Sequence, residues 1–495
     1  MLREVLEYAD GFRAGAMNQE GLNFVCASAR AQVERDHGLG PQPVREQMLA
    51  ILAHGADKQK GVFVQHVADS LAQLVRRSEH EYLKRWADEV RSGRVRLEDA
   101  EILARLAAAH LLDAGFAAQH VHGWLVAKKT VALDELLELG DQMCADPEQS
   151  FEVLVPFVSL PSAVRTAAGT RFRTAEQTEA FLEERGAEKP PGRQGAGSLT
   201  FAVTAREPWS AVAVVDTEIR RLNARVAVAL RNKTATPLGK AIVLDSIHSK
   251  WRDLEPRGRE ILVTGIERHG LLLPDASDAT KELDDAFELL AAVRTSTSWA
   301  SVAAIWAAIE GLLGRATDKG TLAADRMAAV VAAGLVRTEL VLLATRYNED
   351  DGSVGTMLRD DSRTFSERVD DLFDLISSRS PLPETTVEDD AAVMRLQSIV
   401  DDAAVLRRIE EYLKAAFRRL YQQRNLLLHG GRFDSVALPL TMRTVPALAA
   451  AGLDRLVFSV SERRGSPPLA LAARAQNEIA LLGGDGARSL PHLLD

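Results

Sequence analysis

The hydrophobic pattern of this chain changes period near residue 150, and that change limits what it can fold into. Residues 1 to about 147 carry apolar side chains at helical spacing, punctuated by GLGPQP (38–43) and RSGRV (91–95). From Phe151 the runs FEVLVPFVSL (151–160), LTFAVTA (199–205), ARVAVAL (224–230) and EILVTG (260–265) are short, rich in Val, Ile, Leu and Phe, and bounded by turn residues, which predicts strands. Helical spacing then returns. The expected fold is mainly α: an N-terminal helical bundle over 1–147, a small central α/β or α+β domain over 150–272, and a C-terminal all-α bundle over 281–495. A chain of 495 residues is long enough for three such domains. GAEKPPGRQGAGS (186–198), YNEDDGSVGTMLRDD (347–361) and SSRSPLPETTVEDD (377–390) read as loops, and LLLPDASDAT (271–280) as a linker.

Charge and cysteine usage exclude several classes. The net charge is −10, so nucleic-acid binding has to rest on a local patch rather than on a basic molecule. The longest stretch without a charged side chain, Thr295 to Ile309, is fifteen residues, short of the ~18–20 that span a bilayer. Arg3, Glu4 and Glu7 interrupt the place where a signal peptide carries its apolar core. Cys26 and Cys144 are the only cysteines, too few for a disulfide framework. A cytoplasmic protein with no membrane segment is expected.

Common catalytic signatures are missing. TATPLGKA (234–241) has Thr234 and Ala241 where a phosphate-binding loop needs Gly and Ser or Thr, and HExxH, GxSxG and CxxC are absent. His120 and His122 lie two apart, ~200° around a helix, and no third metal ligand accompanies them. Residues 105–129 have a helix–Gly115–helix outline, but the second helix has only Lys128 and Lys129 for DNA, so an αα-hairpin of the bundle is expected. No metal and no cofactor is predicted.

The segment VLRRIEEYLKAAFRRLYQQRNLLLHGGRF (405–433) carries the specific signal. Around a 3.6-residue helix, Leu406, Ile409, Leu413, Phe417, Leu420 and Leu427 fall within ~60° of one another's mean, with Arg424 in the middle of that stripe. Arg407, Lys414, Arg418, Asn425 and His429 cluster on an adjoining face at ~80–140°. Residues 406–432 hold seven Lys or Arg against two Glu, a local +5 that suits a polyanion. The candidate polyanion-contacting cations are Arg407, Lys414, Arg418 and Arg432.

Within this segment, Arg424-Asn425 followed by three residues and His429 resembles the R-x(4–6)-H motif of HEPN domains. Tyr421 before it and Gly430-Gly431 after it resemble the Apea-like HEPN proteins, which commonly read Y-x-x-R-N-x-x-x-H-G-G. SWASVAAIWAAIEGLLG (298–314) is similar to the first HEPN helix, with Trp299, Val302, Trp306, Ile309 and Leu313 on one stripe and Glu310 ~20° from Trp299. The resemblance covers about 285 to 484.

The resemblance implies a metal-independent RNA endonuclease in which two domains pair, placing two motifs in one composite cleft. Arg424 would hold the scissile phosphate, His429 would move protons, and Asn425 would orient the imidazole or the substrate. Glu310 and Tyr421 are expected to support them, Glu310 by pairing with Arg424. The RNA's own 2′-hydroxyl would attack, leaving a 2′,3′-cyclic phosphate and a 5′-hydroxyl. Arg424 and His429 lie ~140° apart on an ideal helix, so fraying at Gly430-Gly431 or the two-chain cleft has to bring an arginine and a histidine together. Proteins of this kind usually serve bacterial antiphage defence, so the implied partners are an RNA substrate, a second copy in a homodimer or larger homo-oligomer, and a phage-derived trigger or partner protein, with residues 1–280 as a trigger sensor or an autoinhibitory part. The alternative is a catalytically silent HEPN scaffold or sensor that binds a partner or nucleic acid.

Overall fold

The computed structural model of the chain describes residues 1–55, 65–95, 100–192, 195–230, 233–244, 250–254, 261–272, 278–294, 296–318, 320–383, 386–462, 467–484 and 486–494. The protein is mainly α with a small antiparallel sheet. Its contacts divide it into two compact units: Met1–Arg257 with Thr295–Thr297 and Leu428–Ala437, and Gly258–Arg294 with Ser298–Leu427 and Leu438–Asp495.

In the N-terminal unit the first helices are α1 (Leu2–Arg13), α2 (Gln19–Val33), α3 (Gln42–Gly55), α4 (Gln65–Glu79), α5 (Tyr82–Arg91), α6 (Ala100–Asp113), α7 (Ala118–Ala127) and α8 (Leu133–Ala145). Buried Asp36 ties the turn after α2 to α5. Its Oδ1 accepts from the Tyr82 hydroxyl at 2.9 Å, the Trp86 indole at 3.2 Å and the Gly38 N–H at 3.1 Å. Burial pushes this carboxyl above the usual aspartate range, against the pull of those donors.

The sheet follows: β1 (Gln149–Ser159), α9 (Ser162–Ala168), β2 (Phe172–Arg173), α10 (Ala175–Glu184), β3 (Gly197–Ala205), α11 (Pro208–Ala229), β4 (Thr236–Pro237), β5 (Lys240–Val243) and β6 (Trp251–Asp253). The strand order is β2-β3-β1-β5-β6, with β4 also on β1 and Val153 opposite Phe201. Strand alternation sends Val153, Val155, Phe157 and Leu199 to the face covered by α11, and Leu154 and Ile242 to Leu182 of α10. Helices therefore cover both faces.

Two expected strands are corrected. ARVAVAL is the end of α11, because Ala211, Val215, Ile219 and Leu222 keep three-to-four spacing against the sheet, buried Val226 continues that spacing, and this outweighs the local valines, leaving Val228 91% exposed. The described residues of EILVTG, from Ile261 on, form no strand. Ile261 and Val263 lie on the helical core, with Asp454 accepting the Gly265 N–H at 2.7 Å before the short helix α12 (Gly265–Arg268). The expected loop at 347–361 contains the short helix Ser353–Leu358, and 273–277 of the expected linker lie outside the described residues.

The C-terminal unit continues with α13 (Asp278–Ala291), α14 (Ser298–Leu313), α15 (Leu322–Tyr347), α16 (Ser353–Leu358), α17 (Phe365–Ser377), α18 (Val387–Asp401), α19 (Ala404–Gly430), α20 (Leu438–Glu462) and α21 (Pro468–Leu481), α19 leaving this unit after Leu427. Alanine-rich α15 is its axis. Small residues let neighbours approach: Arg455 of α20 lies against Gly334 and donates to its carbonyl at 3.0 Å, and Gly452 lies against Met327. By length and composition α15 and Leu438–Ser461 are long and apolar enough to cross a membrane, although each contains charged side chains; 67% of an apolar 18-residue stretch of α15 is buried inside the protein.

Candidate active site

The motif lies on α19, whose first turn is capped by Asp402 accepting the Ala404 N–H at 2.9 Å. Leu406, Leu413, Phe417, Leu420 and Leu427 are buried and Ile409 is half-buried, the stripe read from the sequence. Arg424 is half-buried and its Nη1 donates to Oδ1 of buried Asn425 at 3.0 Å. His429 is exposed in the last turn. The helix runs unbroken to Gly430, and Gly431 ends it in the left-handed region at φ +62°. Fraying at the two glycines therefore does not reach His429, which keeps its ~140° helical offset from Arg424. The boundary between the units follows Leu427, so Arg424 and Asn425 belong to the C-terminal unit and His429 to the N-terminal one.

Both supporting residues meet at one indole. Trp306 is buried in α14, its Nε1 donates to Glu310 at 3.0 Å, and its ring lies 4.9 Å from that of Tyr421. The Tyr421 hydroxyl end lies so close to Gly320 that a Cβ there would overlap it. Glu310 itself is exposed, so it is not a buried carboxylate in need of a cation. Val302, Trp306, Ile309 and Leu313 are buried as expected, whereas Trp299 is 39% exposed in the first turn of α14.

The cations of the basic face have partners within the protein. Arg407 donates to the Leu482 carbonyl at 2.8 Å, and Lys414 pairs with Glu410 at 3.1 Å and Glu411 at 2.8 Å. Arg418 grips Asp325 through two bonds of 2.7 Å. Arg432 pairs with Asp10 at 3.4 Å. Carboxylates distant in sequence thus offset part of the +5 counted along 406–432.

Sequence reasoning missed the surroundings of the segment after His429. Ser435 donates to buried Glu7 at 2.6 Å, the Val436 N–H also reaches Glu7, and Gly430 lies against Ala16. Glu4 and Glu7, acids three apart on the buried face of α1 beside Val5 and Tyr8, were the available signal. Elsewhere, His120 pairs with Glu207 at 3.5 Å and stacks on Phe116, while His122 is exposed. Burial pushes the Cys26 thiol up to about 12 and that of Cys144 to about 11, so neither is a nucleophilic thiolate at neutral pH.

Chemically, an exposed imidazole at a helix end is accessible to a substrate hydroxyl, and a guanidinium can bind a phosphate through two parallel bonds. Compared with family models, with curated proteins and with solved structures, the chain matches none.

Proposed function

We propose that this protein is a metal-independent RNA endonuclease of HEPN type, working as an effector in bacterial antiphage defence. The observation that carries the reading is the arrangement on α19: Arg424 bonded to the Asn425 amide, and His429 exposed one turn beyond them. The 2′-hydroxyl of the RNA gives up its proton as its oxygen bonds to phosphorus, the phosphorus–5′-oxygen bond breaks, and the leaving oxygen takes a proton. His429 moves these protons, Arg424 stabilises the charge on the phosphate, and Asn425 fixes the Arg424 guanidinium. Because the unbroken helix keeps Arg424 and His429 apart in angle, the composite cleft pairs the arginine of one copy with the histidine of another. Residues 1–280 serve as a trigger sensor or an autoinhibitory part.

The test is RNA cleavage by His429→Ala and Arg424→Ala variants of unchanged melting temperature. Each should lose cleavage at least ~100-fold, the scale of a lost acid–base or charge-stabilising group. Wild-type cleavage by a folded His429→Ala variant contradicts the assignment. The engagement of Arg407, Lys414 and Arg418 within the protein favours a second reading, a silent HEPN scaffold or sensor, for which wild-type protein cuts no RNA.

A further inference from the structure

An open groove of about 430 Å³ runs between α9, β3 and the second half of α11 in the N-terminal unit. Leu199 and Phe201 of β3 form its floor, and Leu222 and Val226 of α11 its long wall. The α11 residues along it extend from Glu218 to Leu230, about 18 Å at 1.5 Å per residue. Its volume lies within the ~300–1,000 Å³ range of small-ligand sites.

The polar lining is one-sided. Arg171, Arg221 and Arg225 face one acid, Glu218, and that acid is taken by Arg221 at 2.7 Å. The exposed guanidiniums of Arg171 and Arg225 have no ion pair or hydrogen bond among the described residues, in a protein of net charge −10. Two guanidiniums beside an open apolar groove complement an anionic head on an alkyl body.

We propose that this groove binds a free long-chain alkyl carboxylate, the chain lying along α11 over Leu199 and Phe201 and the carboxylate held by Arg171 and Arg225. The site is independent of the motif on α19.

The test is calorimetric titration of the full chain with monomeric sodium dodecanoate. One saturable site is expected. Each fully buried methylene is worth up to about fourfold in affinity, so octanoate should bind at least tenfold more weakly. Dodecan-1-ol should also bind at least tenfold more weakly, for want of charge-assisted bonds. The double variant Arg171→Ala/Arg225→Ala should lose at least tenfold, and Ala167→Trp, which fills the groove, should abolish binding, both at unchanged melting temperature. No saturable binding to the wild-type chain, dodecanol binding as tightly as dodecanoate, or an unaffected double variant overturns the proposal. Binding to anionic phospholipid vesicles without binding of monomeric dodecanoate assigns the groove to a membrane surface and overturns it equally.

Discussion

The Ser435 hydroxyl donates to the buried Glu7 carboxylate at 2.6 Å, joining positions 428 apart in the chain. The first helix thereby holds the segment that follows His429. Glu7→Ala leaves Ser435 and the Val436 N–H without this acceptor, and should cost about 1–2 kcal/mol in denaturant unfolding. Burial also raises the Glu7 carboxyl above its ordinary range, more than Ser435 and Arg432 lower it. A raised folded-state value means that the folded chain keeps a proton which the unfolded chain has lost, so stability falls as pH rises from the ordinary ~4.3 through the raised value. Glu7→Gln keeps an acceptor and cannot titrate. The stability of wild type relative to Glu7→Gln should therefore decline between acid and neutral pH, and parallel curves would contradict this.

Asp36 accepts from Tyr82, Trp86 and the Gly38 N–H, and from the Gln32 side chain as well. Asp36→Ala strands the Tyr82 hydroxyl, the Trp86 indole and the Gly38 N–H in the interior, and should cost about 3 kcal/mol. Asp36→Asn retains one acceptor oxygen and should cost less. Thermal denaturation of the two variants measures the difference.

Local periodicity made much of this legible. The stripe from Leu406 to Leu427 and the strands at 151 and 199 could be read because each buries a face whose spacing is written within one continuous element. The valines at 226 and 228 misled, because α11 is set by packing along its whole length. Strands β2, β4, β5 and β6 have two to four residues, too few to show alternation. On the candidate site the charges were visible but their partners were not. Asp325 meets Arg418 across 93 positions, and Ser435 meets Glu7 across 428, distances over which one sequence carries no pairing signal.

The composite-cleft reading requires assembly. We expect light scattering to show a dimer or larger oligomer, formed through the block 285–484 with the two copies of α19 near the two-fold axis. Active protein that is strictly monomeric would contradict the cleft.

The central claim is tested most directly by the ends left on a defined RNA cut by the wild-type chain in excess EDTA. The account predicts a 2′,3′-cyclic phosphate and a 5′-hydroxyl, with no cleavage once the sugar at the cut site is 2′-deoxy. A 5′-phosphate product, cleavage of the 2′-deoxy substrate, or activity that needs added magnesium would contradict it.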